Sequence, residues 1–527
     1  MLALPLSALT FSAPAERPHI VMALVDDLGH AGLGFTSPKN EPRTPVIDAL
    51  AKESAVLSHH YTFRFCSPTR SSFLSGRLPL HVNMENHPPE MPGGGVPVGM
   101  TTVADRMRKE GYDTVHAGKW HGGMSHASQL PINRGFNSSL AMLSGAADHF
   151  ENTRDGQVDM WLDQAPAHGL NGTYSLYRYT DHAIAAINAH AAAGNADRRL
   201  FLYLAFQDVH GPTEAPDRFF EGYDSSIYAP RLKGLAQVSA VDEALGNVTA
   251  ALRNNGMWTQ TLFVFSSDNG GPADHEANYP LRGSKGSDFG GGVRVAAFVG
   301  GGFLPAAMRG TTIDGLMHIT DWHVTFAALA GATDPTTDAR AAAKGLPPVD
   351  SLDMWQMVSG ANSTSPRVEL PLSGSGNGTS LKGTALIVTC PASSACPASK
   401  GRFKLVRGTM SNGAWPGVTT PNGTDATASV DCGHGCLFDL DADPTEHFDL
   451  AAHKTTLVQH MRHLAAAYDE TVYQSPGSAK ADPAAKVAAR TKYGGFWGPW
   501  QSDEEFMRME VAPSGPRWEI DECGDCF

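Results

Sequence analysis

The chain has 527 residues, a net charge of −14 and an ordinary hydrophobic share, room for one large domain and a smaller one beside it. The acidic balance excludes a nucleic-acid binder, which needs a basic footprint, and no apolar run approaches the ~20 residues of a membrane span. An anionic substrate must therefore be drawn in by a local group of cations or a metal, against the field of the whole molecule.

Residues 1–18, MLALPLSALTFSAPAERP, read as a shortened secretory leader, apolar with small residues at Ser12–Ala15 but with no Lys or Arg before Arg17. N-x-S/T sequons at Asn137, Asn171, Asn247, Asn362, Asn377 and Asn422 point the same way. A glycoprotein of the secretory pathway is expected, extracellular or lysosome-like. Cys390, Cys396, Cys432, Cys436, Cys523 and Cys526 lie in the C-terminal third, where several disulfide pairings are open. Cys432/Cys436 and Cys523/Cys526 are spaced as local pairs. Cys66 stands apart.

Through roughly residue 330, short apolar runs alternate with helical patterns, the rhythm of a mostly parallel sheet with helices on its faces. Strands are predicted at 19–25, 112–118, 200–206 and 261–267, and amphipathic helices at 102–111 and 179–194. The stretch 334–367, rich in Ala, Pro and Ser, reads as a surface connection. Beyond about residue 380 the pattern changes to the alternation of half-buried antiparallel strands, at 384–390, 401–408 and 436–443, followed by a helix near 455–468. The last stretch, with Trp497 and Trp500, is expected to fold back onto the body. The expected organisation is a leader (1–18), a catalytic domain (19–380) and a smaller C-terminal α+β domain (381–527).

In open α/β sheets, ligands sit beyond the carboxyl ends of the strands. The four predicted strands are followed by DDLG with Asp26 and Asp27, KWHGG with Lys119 and His121, QDVHGP with Asp208 and His210, and DNGG with Asp268 and Asn269. Any one of these could be a solvated turn or a helix cap; four together point to a site. Asp26, Asp27, Asp268 and Asn269 offer only oxygens, a set for Ca²⁺ or Mg²⁺ rather than zinc. Neighbouring ligands require the chain to leave strand geometry, and Gly29 and Gly270 are placed to ease that bend. Lys285 comes later, in a Gly-rich loop, NYPLRGSKGSDFGGGVR.

FCSPTRSSFLSGR, Phe65–Arg77, predicts a short helix, with Pro68 in its first turn and Gly76 at its end. Arg70, four residues after Cys66, falls on the same face, so a nucleophile and a fixed cation share a helix N-terminus suited to anions. A small, buried, inert Cys is the plainer alternative.

CSPTRSSFLSGR and GYDTVHAGKWHGG resemble the two signatures of the formylglycine-dependent sulfatase family, and ALVDDLG, AFQDVHGP, FSSDNGG, YPLRGSKGSDFGGGVRV and CLFDLDADPTEHFDL match in order. The look is nearest to the arylsulfatase B-like (N-acetylgalactosamine-4-sulfatase-like) branch. The resemblance implies an α/β, alkaline-phosphatase-like large domain and an arylsulfatase acting on a sulfated small molecule or glycan. It implies that a formylglycine-generating enzyme oxidises Cys66 to formylglycine during maturation. One hydroxyl of the aldehyde hydrate would attack sulfur beside a calcium ion, or magnesium, held by Asp26, Asp27, Asp268, Asn269 and residue 66. Lys285 and His210 would stabilise the sulfate, one of them protonating the departing alcohol, and His121 would take the second hydroxyl's proton. Arg70 and Lys119 would hold the diol, and Ser144 is the candidate for a further sulfate contact. Gly122 stands where the branch commonly has Leu, and Leu78 comes after the signature's Gly-Arg in place of the usual aromatic.

Three alternatives accompany this reading. A phosphatase or phosphodiesterase on the related fold needs more His and Asp metal ligands at the strand ends. An inactive binder of sulfated glycans predicts an unmodified Cys66. A thiolate hydrolase needs a base beside Cys66.

Overall fold

Unbroken Val, Ile and Leu runs suit strands buried on both faces. The computed structural model, which describes residues 16–39, 41–194, 197–375, 383–390, 396, 399–417, 427–474 and 481–511, sets them side by side. The large sheet contains β1 (His19–Val25), β2 (Ala55–Leu57), β3 (Asp113–Lys119), β4 (Ser138–Met142), β5 (Trp161–Leu162), β6 (Ala165–Pro166), β7 (Leu200–Ala205), β8 (Thr261–Ser267), β9 (Ala297–Gly300) and β10 (Thr312–Ile313). Their order across the sheet is β10-β2-β9-β8-β1-β7-β3-β4-β5-β6. The central five, β8 to β4, are parallel, and antiparallel β9 and β5 flank them.

Alternate residues of β1 feed two cores, as a period of two requires. Ile20, Met22 and Leu24 pack with residues of α2 (Cys66–Ser75), α3 (Val103–Lys109) and the later helix Trp322–Leu329, among them Phe73, Met107 and Phe326. Val21, Ala23 and Val25 pack against α1 (Pro45–Lys52), α4 (Ser175–Ala192) and α5 (Ala229–Asn254) through Ile47, Ile187, Leu245 and Val248. Each such side chain contributes about 1.5–3 kcal/mol when buried, so the middle of the sheet is a rigid platform. The four strands predicted for the large sheet match to within a residue, whereas in the small sheet the strand expected at 436–443 ends at Asp439 and that at 401–408 runs on to Met410. The helix expected at 179–194 starts earlier, at Ser175, because Leu176 and Tyr179 already belong to the buried face.

The small sheet holds β11 (Glu369–Pro371), β12 (Gly383–Cys390), β13 (Gly401–Met410), β14 (Val430–Asp431) and β15 (Cys436–Asp439), all paired antiparallel. Leu386 and Val388 face the helix Thr455–Asp469, while Ala385 and Ile387 face Tyr61, Phe63, Leu80 and Phe289 of the large unit. β11 precedes residue 381, so the small sheet begins before the change in composition. Disulfides join Cys390 to Cys396 and Cys432 to Cys436; Cys523, Cys526, Asn377, Asn422 and most of the expected leader lie outside the described residues. Trp497 does fold back: it is buried against the large core, and its amide donates to Val158 at 2.8 Å.

One expectation is corrected. The stretch 334–367 is not a plain surface connection: Asp338, Ala341, Ser351, Met354, Met357, Val358 and Arg367 are buried, and Asp338 pairs with Arg77, just past α2, at 3.0 Å. No helix of the described residues is long and apolar enough to cross a membrane.

Candidate active site

Pairing register brings the strand ends to one edge. Val25 lies opposite Ser267, Leu24 opposite Ala205, and Ala205 opposite Gly118, so Asp26, Asp268, the 207–210 turn and Lys119 emerge together. The bends occur at the candidate residues themselves: Asp27 has φ 59° and His121 φ 48°, the left-handed region non-glycine residues seldom occupy. Gly29 and Gly270 do not supply them by unusual torsions, as the sequence led us to expect. They permit close approach, since a Cβ would stand 2.4 Å from the Ala277 carbonyl oxygen at Gly29 and 1.7 Å from that of Gly291 at Gly270.

α2 starts at Cys66 and ends on Gly76, whose φ of 70° serves as a left-handed cap. All its residues are buried. Cys66 Sγ lies 3.4 Å from Asp26 Oδ1 and 3.9 Å from Asp27 Oδ1. One turn on, Arg70 donates to Asp268 Oδ2 through Nε (3.0 Å) and Nη2 (2.8 Å), and through Nη1 to the Lys119 carbonyl (3.0 Å). Lys119 Nζ bonds Asp26 Oδ2, and Lys285 Nζ bonds Asp27 Oδ2 at 2.7 Å. His210 Nε2 stands 3.7 Å from the same Asp27 oxygen. Three carboxylates and two cations are thus buried together, with half-buried Lys285 beside them, in a chain that is acidic overall. Each charge depends on the others, because a buried charge stripped of its partner costs about 3–5 kcal/mol.

Burial and neighbouring charge set the ionisation states. Burial, with Asp26 adding to it, pushes the Cys66 thiol well above its ordinary value. A thiolate nucleophile is therefore not favoured here. Burial also works against charge on Asp27, but Lys285, His210 and Lys119 outweigh it and hold its carboxyl below the usual range. Asp268 is pushed up to about 6 by burial and by Asp26, against the pull of Arg70. Lys285 keeps its ammonium well above its ordinary value, since Asp27, Cys66 and Asp26 overcome burial. His210 and His121 are driven well below theirs by burial, then by Lys285 and Lys119 respectively.

The donor set fits a hard cation. Ligand atoms of Asp26, Asp27, Cys66 and His210 lie within 4.8 Å of one another, and Asn269 Oδ1 is buried with no hydrogen-bond partner. Asn269 Nδ2 donates to Asp27 Oδ1 at 2.7 Å, and Asp268 Oδ1 accepts from the Asp27 amide at 3.1 Å. The oxygens of Asp26, Asp27 and Asn269 are the donor type that Ca²⁺ or Mg²⁺ takes, and Cys66 Sγ and a His210 nitrogen lie beside them.

Ser144 makes none of the contacts that join these residues. Its amide donates to Asp159 Oδ2 (2.8 Å) and its hydroxyl to the Ala146 carbonyl (3.2 Å), while neighbouring Gly145 lies against the His121 ring. At the position of Gly122, a Cβ would meet the Trp120 ring at 2.8 Å, and the Gly122 carbonyl accepts from the Val96 amide at 3.0 Å. Three supports escaped the sequence reading. Asn86 Oδ1 accepts from the Ser67 amide (3.1 Å), the His87 carbonyl holds His121 Nε2 (2.8 Å), and Glu276 accepts from the Gly29 amide (3.1 Å). They come from loops without periodicity, and only Glu276, beside the Gly-rich loop, carried any positional hint.

A family model described as Sulfatase matches residues 18–332. Arylsulfatase J of Mus musculus is 30% identical over 519 residues, covering 94% of this chain and 82% of that protein. Arylsulfatase A of Homo sapiens is 30% identical over 356 residues, 61% of this chain and 66% of that protein. Among solved structures, Ps i-CgsB superposes with a TM-score of 0.72 at 23% identity, over 90% of this chain and 97% of that one. It has also been solved in complex with k-i-k-neocarrahexaose.

Proposed function

The chain belongs to the sulfatase family, hydrolases of sulfate esters, and from that premise we propose that it cleaves sulfate monoesters of a saccharide at residue 66. In this reading Cys66 is oxidised to formylglycine by a formylglycine-generating enzyme, and a calcium ion, or magnesium, would be held by the residues at the carboxylate-bearing strand ends. The observation that carries it is the burial of Cys66 at the start of α2, 3.4 Å from Asp26, whose carboxylate and that of Asp27 are paired with Lys119 and Lys285. The hydrate of formylglycine supplies the attacking hydroxyl, and the cation supplies charge that sharpens it.

Asp26, Asp27, Asp268 and Asn269 would hold the cation, with residue 66 beside them; the orphaned Asn269 oxygen supports this set. Arg70, fixed by two bonds to Asp268, and Lys119 offset negative charge at the nucleophile. The His87 carbonyl can only accept, so His121 carries its proton on Nε2. Its Nδ1, buried and without a partner, is the lone pair that takes a proton from residue 66. His210 commits Nδ1 to the Gly211 carbonyl at 2.7 Å, which turns Nε2 to the departing alcohol; from Nε2 the ring donates a proton only as the imidazolium, a form that the bound sulfate anion favours. Lys285 stays charged beside it and binds the sulfate.

A saccharide substrate is favoured by the carbohydrate complex of Ps i-CgsB. NYPLRGSKG favours the arylsulfatase B-like branch, and exposed sequons at Asn171, Asn247 and Asn362 favour a secretory-pathway location. We further infer a division into a catalytic part, 19–380, and a C-terminal part, 381–527, with the catalytic part lending the strand Glu369–Pro371 to the small sheet. Sulfate release from para-nitrophenyl sulfate tests the reaction: wild type should turn it over, and Cys66→Ala should fall to background with Tm little changed. Undiminished turnover by Cys66→Ala would refute the assignment.

A further inference from the structure

The turn after β7 is braced in a way that the reaction does not by itself require. Three successive carbonyls are each held by a donor: Asp208 by the Asp26 amide (2.9 Å), Val209 by His275 Nε2 (3.2 Å) and His210 by His149 Nε2 (3.0 Å). The third clamp closes on itself. His149 Nδ1 faces Asp208 Oδ2 at 3.6 Å, both side chains are fully buried, and the other Asp208 oxygen accepts from the Tyr174 hydroxyl. His149 is itself anchored, its amide donating to Glu214 Oε2 (2.9 Å) and its carbonyl accepting from the Ser175 amide (2.7 Å).

We propose that Asp208 and His149 form a buried positioning pair that fixes the His210 peptide and thereby aims its imidazole. The Asp208 carboxylate faces His149 Nδ1 at 3.6 Å, and His149 Nε2 meets the His210 carbonyl at 3.0 Å and Gln237 Nε2 at 3.1 Å, so the ring is oriented from both sides. The circuit runs from the Asp208 side chain through His149 back to the main chain two residues on. Removing His149 leaves the His210 carbonyl with only the longer contact from Gln237 Nε2 at 3.5 Å, and removing Asp208 leaves the His149 ring without the charge that faces its other nitrogen. The pair touches no reacting atom and acts through His210, so the inference rests on the catalytic role proposed for that residue.

The test compares wild type, Asp208→Ala, Asp208→Asn and His149→Gln, each matured natively, on para-nitrophenyl sulfate and phenyl sulfate. Phenoxide is the poorer leaving group, so its ester depends more on a well-aimed proton donor. Asp208→Ala and His149→Gln are expected to lose roughly ten- to a hundredfold in kcat/KM, with the larger loss on phenyl sulfate. Asp208→Asn keeps an acceptor for His149 and should recover most of that loss. A purely structural pair would lower Tm and leave the ratio between the two esters unchanged; that result, or wild-type kinetics in Asp208→Ala, overturns the proposal. Should Asp208→Ala not fold, the ester ratio of His149→Gln decides by the same criterion. A wild-type protein that turns over neither ester overturns the catalytic reading and this inference with it.

Discussion

At the scale of single residues, the site is a balance of buried charges around one polarisable atom. Asn269 occupies a telling position because its Oδ1 is buried and unpaired, so its removal subtracts a candidate ligand together with the Nδ2 bonds to Asp27 and to the Gly270 carbonyl. Asn269→Ala should weaken Ca²⁺ binding at least about tenfold, about 1.4 kcal/mol, in a calorimetric titration of the purified protein; an unchanged affinity would remove Asn269 from the ligand set. The convergence of Asp26, Asp27, Asp268 and Asn269 was legible in the sequence because parallel register carries the residues just past each strand to one edge. The torsions at Asp27 and His121 were not, since nothing in their side chains announces a left-handed backbone. Nor was the His87 carbonyl, a main-chain group whose position depends on the path of an irregular loop.

At the scale of elements, the signature helix is held at its far end. Arg77 reaches Asp338 at 3.0 Å, the Pro347 carbonyl at 2.7 Å and the Ser75 carbonyl at 2.8 Å. The Gly-Arg after the helix therefore anchors the 334–367 stretch, whose composition had read as solvent-exposed because its buried residues are few and irregularly spaced. Burial opposes ionisation of Asp338, but the Thr101 amide and hydroxyl, the Ala341 amide and Arg77 lower its pKa to about 2. A carboxyl depressed on folding contributes stability above its unfolded pKa of about 3.9 and loses it as pH falls through the folded one. Asp338→Asn should cost roughly 2 kcal/mol at neutral pH, and the gap to wild type should narrow as pH falls from about 4 towards about 2. Denaturant unfolding across that range checks it, and a gap independent of pH would contradict it. The close approach at Gly270 predicts a separate effect: Gly270→Ala should destabilise by roughly 1–3 kcal/mol or more, read as a fall in Tm, and an unchanged Tm would show that the Gly291 backbone can yield.

At the scale of the molecule, the small sheet helps build the site. Asn412, just past β13, donates to the Lys285 carbonyl at 2.8 Å, and Glu446 accepts from the Gly290 amide at 2.6 Å while pairing with buried Lys404 at 2.7 Å. Glu446→Ala should therefore cost about 3–5 kcal/mol and lower Tm in one cooperative transition; an early, separate melting of the small sheet would contradict shared stability. The change from parallel to antiparallel architecture was legible because strand alternation replaces continuous apolar runs near residue 380. The docking between the two was not, since it depends on Tyr61, Phe63 and Phe289, which lie far apart in sequence. The central claim is the chemistry of residue 66, and the most direct measurement is a mass spectrum of the tryptic peptide Phe65–Arg70 from protein matured natively. The account predicts an aldehyde, or its hydrate, in place of the thiol; an unmodified thiol in a fully active preparation would contradict it.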